Sequence, residues 1–196
     1  EADASVTAGY VPLMYFMLGR VDPERQGKAV RYILSKQRAD GSWSSYYGGP
    51  GDLSVSIQAY FSLKLSGIPA TEPAMQRARD FILSRGGIAQ ANVITRIWLA
   101  VFGQYDWQGV PTVPPEAVLL PPWFFLSLYD FASWSRATIV ALSVVLTQRP
   151  VCVVPQHARL DELYACRAAG AASCCVRAHR GGMPRLQFWE GFFLAL

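Results

Sequence analysis

The side chains able to do chemistry are thinly spread along this chain of 196 residues. It carries 14 acidic residues, and the one adjacent pair among them is Asp161-Glu162. Asp52 follows the glycine-rich stretch Gly48-Gly49-Pro50-Gly51, but no Gly-Lys-Ser/Thr is present, so the stretch is not a phosphate cradle. Its position before an apolar run makes Asp52 a helix N-cap instead. Two histidines, His157 and His179, and four cysteines, Cys152, Cys166, Cys174 and Cys175, raise the question of zinc. Their spacing is irregular and no C-x-x-C occurs, so no metal site is expected. Arg96 and Arg136 sit on otherwise apolar helices, where pairing with acids or carbonyls gives them a structural role.

The elements around these residues read as helices joined by short, marked turns. Val6, Tyr10, Val11, Met14, Tyr15 and Leu18 recur at helical spacing, and Gly19 follows. Asp22 as N-cap, Pro23 at the first position and Glu24 in the first turn start a second helix, with Ala29, Val30, Ile33 and Leu34 as its apolar face. Asp52 caps a third helix carrying Leu53, Val55, Ile57, Ala59, Tyr60 and Leu63. Thr71 is expected to cap a fourth, through Ala74, Ala78, Phe81 and Ile82, which Gly86-Gly87 ends in a left-handed turn. A fifth spans about Asn92 to Phe102. Residues 104–135 are rich in proline and aromatics and predict a long, mostly non-helical excursion with one short helix near Pro115–Leu120. A last helix occupies about Ser135–Thr147. No segment keeps a period-two alternation for long, so the fold class is all-α, and helix pairs of this length close into bundles, solenoids or α/α toroids.

Composition narrows the function classes. Hydrophobic residues make up 52% and charged residues 16%, which is apolar for a globule and implies extensive burial or a surface that meets a membrane or another domain. The net charge of +4 is not a nucleic-acid signature, because residues 1–164 hold 14 basic against 13 acidic side chains and offer no basic face. Ala137–Leu146 is about half the length a bilayer requires, and Pro121-Pro122 interrupts the longer apolar stretch around it, so no span is expected. The chain begins Glu1-Ala2-Asp3 without Met or a signal peptide, which predicts a fragment or processed form. Residues 165–196 read as an anomalous tail, an out-of-frame or disordered terminus, because they hold three of the four cysteines and most of the net charge.

One motif has specific spacing: Lys28-Ala29, Tyr32-Ile33, Gln37, Gly41 and Trp43. Ala29 permits close helix packing, Tyr32 and Ile33 are expected to face the core, and Gly41 suits a tight turn. Trp43 can stack on the Gln37 amide while that amide bonds backbone groups at a neighbouring helix end. The result is a clasp between outer helices, structural rather than catalytic. It resembles the QW repeat of triterpene cyclases. Asp52-Leu53-Ser54, Ala59-Tyr60-Phe61, Thr95–Ala100, Pro114-Pro115-Glu116, Ser133-Trp134-Ser135-Arg136 and Pro155–Tyr164 resemble further segments of bacterial squalene–hopene cyclases, in order, so the resemblance covers residues 1–164.

That resemblance implies an all-α enzyme of two barrels, of which this chain supplies most of one as an incomplete α/α toroid. It implies squalene as substrate in an apolar cavity, reached from the membrane, with hopene or hopanol as product and no cofactor. It implies a peripheral, monotopic location on the cytoplasmic face of a bacterial membrane, and homodimers of the intact enzyme. Trp134 matches a tryptophan of the cavity wall, and Ile94 a position near the cavity that is often aromatic. Family members protonate the terminal alkene with a D-x-D-D motif in the other barrel and hold the resulting cations against aromatic faces. No D-x-D-D occurs here, so no catalytic residue is assigned and the chain is expected to be inactive alone. Two rivals stand beside this reading. A protein prenyltransferase β-subunit shares the architecture but needs an Asp/Cys/His zinc site, and no cysteine precedes Cys152. A truncated, non-catalytic helical module is the other.

Overall fold

A computed structural model describes residues 4–111, 115–123 and 127–164. The sequence-predicted tail, residues 165–196, lies outside the described residues. Six α-helices carry the fold: α1 (Ala4–Leu18), α2 (Pro23–Ser35), α3 (Leu53–Leu65), α4 (Pro73–Ser84), α5 (Val93–Val101) and α6 (Ser133–Gln148). The order of helices and the all-α class follow the sequence reading. A minimal addition is one antiparallel pairing of two-residue strands, β1 (Trp43–Ser44) with β2 (Gly51–Asp52), which sets Trp43 opposite Asp52.

Helix α3 is the axis of the packing. Eleven of its residues are buried, polar Ser54, Ser56 and Ser62 included, so apolar neighbours cover it on nearly every side. Ile33 of α2, Met75, Ala78 and Ile82 of α4, Leu99 of α5 and Ala8 of α1 join its Ile57, Tyr60 and Leu63 in one core. A second, smaller core behind α5 takes Ile97, Ala100, Val110 and Leu146, which seats α6. Fully burying one such side chain contributes about 1.5–3 kcal/mol.

Side-chain caps explain where the helices begin. The carboxylate of Asp22 accepts from the Arg25 amide, that of Asp52 from Val55 at 2.9 Å, and Asn92 Oδ1 from Thr95 at 2.7 Å. Each satisfies one of the amides that a helix start leaves unpaired. At α4 the expectation fails: Glu72, not Thr71, occupies the N-cap and makes no side-chain cap bond. Pro73 at the first helical position needs no amide acceptor, and the Thr71 carbonyl is taken by the side chain of Gln76 instead.

The apolar face expected for α1 is also corrected. Its buried residues are Ala4, Ala8, Val11 and Pro12, whereas Val6, Met17 and Leu18 are exposed. Small residues let α1 lie close on α3; of the expected face, Val11 is buried and Tyr10 and Tyr15 pack against the cores, while Val6 and Leu18 project away.

Between α5 and α6 the described residues (104–111, 115–123 and 127–132) hold no α-helix, as expected of the irregular excursion, and form short 3-10 turns at Trp107–Gly109, Pro115–Leu119 and Leu128–Asp130. Beyond α6 the chain runs through residues 151–164 without an α-helix, with 3-10 turns at Gln156–Ala158 and Asp161–Leu163. This last stretch is a strap across the C-terminal ends of α3 and α5.

Candidate functional site: a helix clasp and an aromatic cleft

Gln37 lies just past the end of α2. Its side-chain amide donates to the carbonyls of Gly41, at 3.0 Å, and of Ala74 in the first turn of α4, at 2.8 Å, while its Oε1 accepts from Arg77. Trp43 is fully buried. Its indole donates to the Ile33 carbonyl at 2.7 Å, and its backbone amide donates to Ser56 Oγ on α3. The end of α2 is thereby tied to the starts of α3 and α4. The Trp43 ring is held by the indole bond to α2, which the expected stacking on Gln37 did not include.

Gly41 is required twice over. Its φ is +85°, a left-handed conformation, and a Cβ there would lie 2.5 Å from the backbone of Arg77. Ser42 donates to Asp40 through both its hydroxyl and its amide, and these bonds hold the Asp40 carboxyl below its usual range. Ile33 and Ala29 are buried, the latter beside Val11 and Leu65. Tyr32 departs from expectation: it is half-buried, outside the core, with the Lys36 ammonium 5.5 Å from its ring centre. Lys28 is exposed and pairs with Glu24 one turn earlier, apart from the clasp.

An apolar cleft opens between α1, α3 and α5. Ala8, Gly9 and Pro12 form one side; Phe61, Trp98, Leu99 and Phe102 form the other. Trp98 and Phe102 stack with planes 9° apart and centres at 6.1 Å, and Phe61 lies 5.2 Å from Phe102. The polar side chains of the lining are Gln58 and Thr95, which are bonded to each other at 2.8 Å. No ionisable side chain lines this cleft. Its room is about 30 Å³, against several hundred for a typical small-molecule site. The described chain thus contributes a wall, not an enclosed cavity.

The two residues singled out by resemblance are not in this cleft. Ile94 is 45% exposed at the start of α5, and Trp134 is 74% exposed at the start of α6. Trp134 is therefore not part of the core that the described residues form. Sequence reasoning passed over Phe61, Trp98 and Phe102. A helical spacing of 98 and 102 was the available signal, but it reads equally as core.

A buried polar cluster was also passed over. Lys64 on α3 is 8% exposed and pairs with Glu162 on the strap at 2.5 Å. Tyr60 donates to the same carboxylate oxygen at 2.9 Å, and Lys64 also donates to the Arg159 carbonyl. Burial raises the Glu162 carboxyl, but the Lys64 ammonium and the Tyr60 hydroxyl outweigh it and hold the group below its usual range. Burial, and then the neighbouring Glu162 charge, push the Tyr60 phenol well up. Asp161, the other half of the acidic pair, turns to Arg159. Among the described residues no cluster of His, Cys, Asp and Glu is arranged to hold a metal, and no helix is long and apolar enough to cross a membrane.

The all-α scaffold with its clasped helix ends agrees with a terpene cyclase N-terminal domain. The chain belongs to the squalene–hopene cyclase family: residues 1–196 match the family's model, described as the squalene-hopene cyclase N-terminal domain. It is 47% identical over 163 residues to a squalene–hopene cyclase of Alicyclobacillus acidocaldarius, covering 83% of this chain and 26% of that protein. It is 42% identical over 196 residues to one of Zymomonas mobilis, covering 100% of this chain and 28% of that protein. It is 39% identical to a dammaradiene synthase of Dryopteris crassirhizoma over 84% of this chain and 24% of that protein. The chain therefore spans about a quarter of the length of these relatives.

Proposed function

We propose that this chain forms part of the N-terminal scaffold of an enzyme that cyclises squalene to hopene or hopanol, and that it supplies an aromatic wall but not the initiating acid. The observation that carries this reading is the cleft wall of Phe61, Trp98 and Phe102 with no ionisable lining. Ring faces stabilise a cation by their quadrupole and, unlike a carboxylate or amine, cannot quench it by bonding. By resemblance Trp134 and Ile94, which lie outside this cleft, are further residues of the substrate cavity. Trp134 exposes most of its ring, as suits a residue covered by substrate rather than by the described core. Family names of the relatives supply the substrate: squalene.

Protonating an unactivated alkene requires a strongly acidic carboxyl held by neighbours. Glu162 is the most enclosed acid of the cluster on the strap, yet Lys64 keeps it charged, which makes it a poor proton donor. The acid belongs to the D-x-D-D element that these 196 residues lack. The reading further places the intact enzyme as a homodimer on the cytoplasmic face of a bacterial membrane, from which a polyprene reaches an apolar cavity.

The test is direct. The 196-residue chain and a polypeptide joining it to the remaining family regions are each incubated with squalene in detergent, and products are analysed by mass spectrometry. Pentacyclic product from the joined polypeptide alone is expected. Product from the short chain, or none from the joined one with any polyprene, overturns the reading. Sedimentation with anionic phospholipid vesicles tests the membrane location, and sedimentation velocity tests the dimer.

A further inference from the structure

The strap touches the two helices that bear the aromatic wall, and it does so at one end of both. On α3 it meets Lys64 and Tyr60 through Glu162, and Lys64 again through the Arg159 carbonyl. Beyond α5, Gly103 at φ +64° turns the chain, and a Cβ there would lie 3.3 Å from Val151. The Cys152 amide then donates to the Val101 carbonyl at 2.7 Å. The Leu160 amide donates to Gln104 Oε1 at 2.8 Å, and the Tyr164 hydroxyl donates to the Gln104 carbonyl.

A second tie joins the same helices at another level, where Gln58 of α3 donates to Thr95 of α5. In sequence order Phe61 falls between Gln58 and Lys64, and Trp98 and Phe102 fall between Thr95 and Gln104. The three rings therefore lie between two polar ties, and their mutual spacing depends on both. Side-chain stacking alone is soft and leaves the spacing of the rings to the helices that carry them.

We propose that the strap is a clamp and that Glu162 and Gln104 are positioning residues, which fix α3 against α5 and so set the geometry of the Phe61–Phe102–Trp98 wall. The wall's use in cyclisation rests on the function proposed above, but the clamp itself does not. Glu162 contacts none of the rings; it acts through Lys64 and Tyr60. The clamp's hydrogen bonds run from Cys152–Val101, 51 residues apart (152 − 101), to Tyr60–Glu162, 102 apart, so it can form only when the chain from α3 to the strap has closed.

The full chain is labelled with 5-fluorotryptophan and read by fluorine NMR, with the Trp98 signal assigned from Trp98→Phe and the Trp43 signal from Trp43→Phe. In Glu162→Gln the Trp98 signal is expected to shift or broaden beyond its linewidth, while that of Trp43, held by the clasp, stays in place. Tyr164→Phe removes only the hydroxyl that ties the strap to the Gln104 carbonyl and leaves the core apolar surface intact. It should move Trp98 in the same direction by less, and it decides the matter if Glu162→Gln does not fold. Glu162→Asp, which keeps the charge, should restore part of the shift. A Trp98 signal unmoved in both folded variants overturns the clamp, as does an equal disturbance of Trp43, which would mark general loosening. Neither outcome bears on whether the joined enzyme cyclises squalene.

Discussion

At the scale of single residues the strongest constraint is Gly41, where backbone conformation and close approach coincide. Any side chain there meets the Arg77 backbone and must also hold a left-handed φ. The conformation alone costs about 1–3 kcal/mol in a residue other than glycine. Gly41→Ala is therefore expected to lower unfolding free energy by about 3 kcal/mol or more, measured by urea titration; a loss below about 1 kcal/mol would mean that the turn relaxes freely. Glu162 makes a pH-dependent prediction. Its carboxyl is held below the ordinary range in the folded chain, so the stability it lends is present above the unfolded value of about 4.3 and is lost as pH falls through the folded value. The stability gap between wild type and Glu162→Gln should stay constant from neutral pH down to about 5 and close only in stronger acid. A gap that closes between pH 7 and 5 would assign the titration to another group. Tyr60 works at the opposite limit. Its raised phenol favours the folded state below the ordinary tyrosine value, and that stability falls as alkali ionises it.

Among the helices, the sequence was legible where a local rule operates and illegible where packing decides. Asp22, Asp52 and Asn92 were each readable as caps, because a short polar side chain before an apolar run has one good use. Thr71 obeys the same rule in sequence but not in space, since Pro73 shifts the helix start to Glu72. A paired substitution separates the two cases. Asp52→Ala is expected to cost about 1 kcal/mol, while Thr71→Ala should stay within about 0.5 kcal/mol of wild type in the same urea titration. Equal losses would show that Thr71 supports α4 by a route other than the cap. For α1, apolar residues occur all round the helix, so periodicity could not say which face meets α3. The clasp was legible because Gln37, Gly41 and Trp43 are close in sequence. The Tyr60–Lys64–Glu162 cluster was not, because 98 residues separate the ion pair and no short-range pattern announces it.

For the whole molecule, the distribution of apolar surface is the informative quantity. Val6, Met17 and Leu18 on α1, Trp134 and Val144 on α6, and Val153 on the strap are exposed although each is a core-type residue. A monomer rarely leaves so many large apolar side chains in water. The relatives are about four times longer than this chain, so a stable surface of this kind is consistent with a scaffold that works as part of a larger body. The 196-residue chain on its own should then behave as a folded protein with sticky faces rather than as an unfolded one. It is expected to show native helical circular dichroism, to bind a hydrophobic dye such as anilinonaphthalene sulfonate at neutral pH, and to self-associate as its concentration rises. Trp134→Glu together with Val144→Glu puts charge on α6 away from its buried residues Ser143 and Leu146, so it should cut dye binding and association while leaving the helical signal unchanged. Loss of the helical signal in that variant would show that this side of α6 is core. Unchanged dye binding would locate the adhesive surface on α1 and the strap instead, and would remove the support that exposure lends to Trp134 as part of a substrate wall.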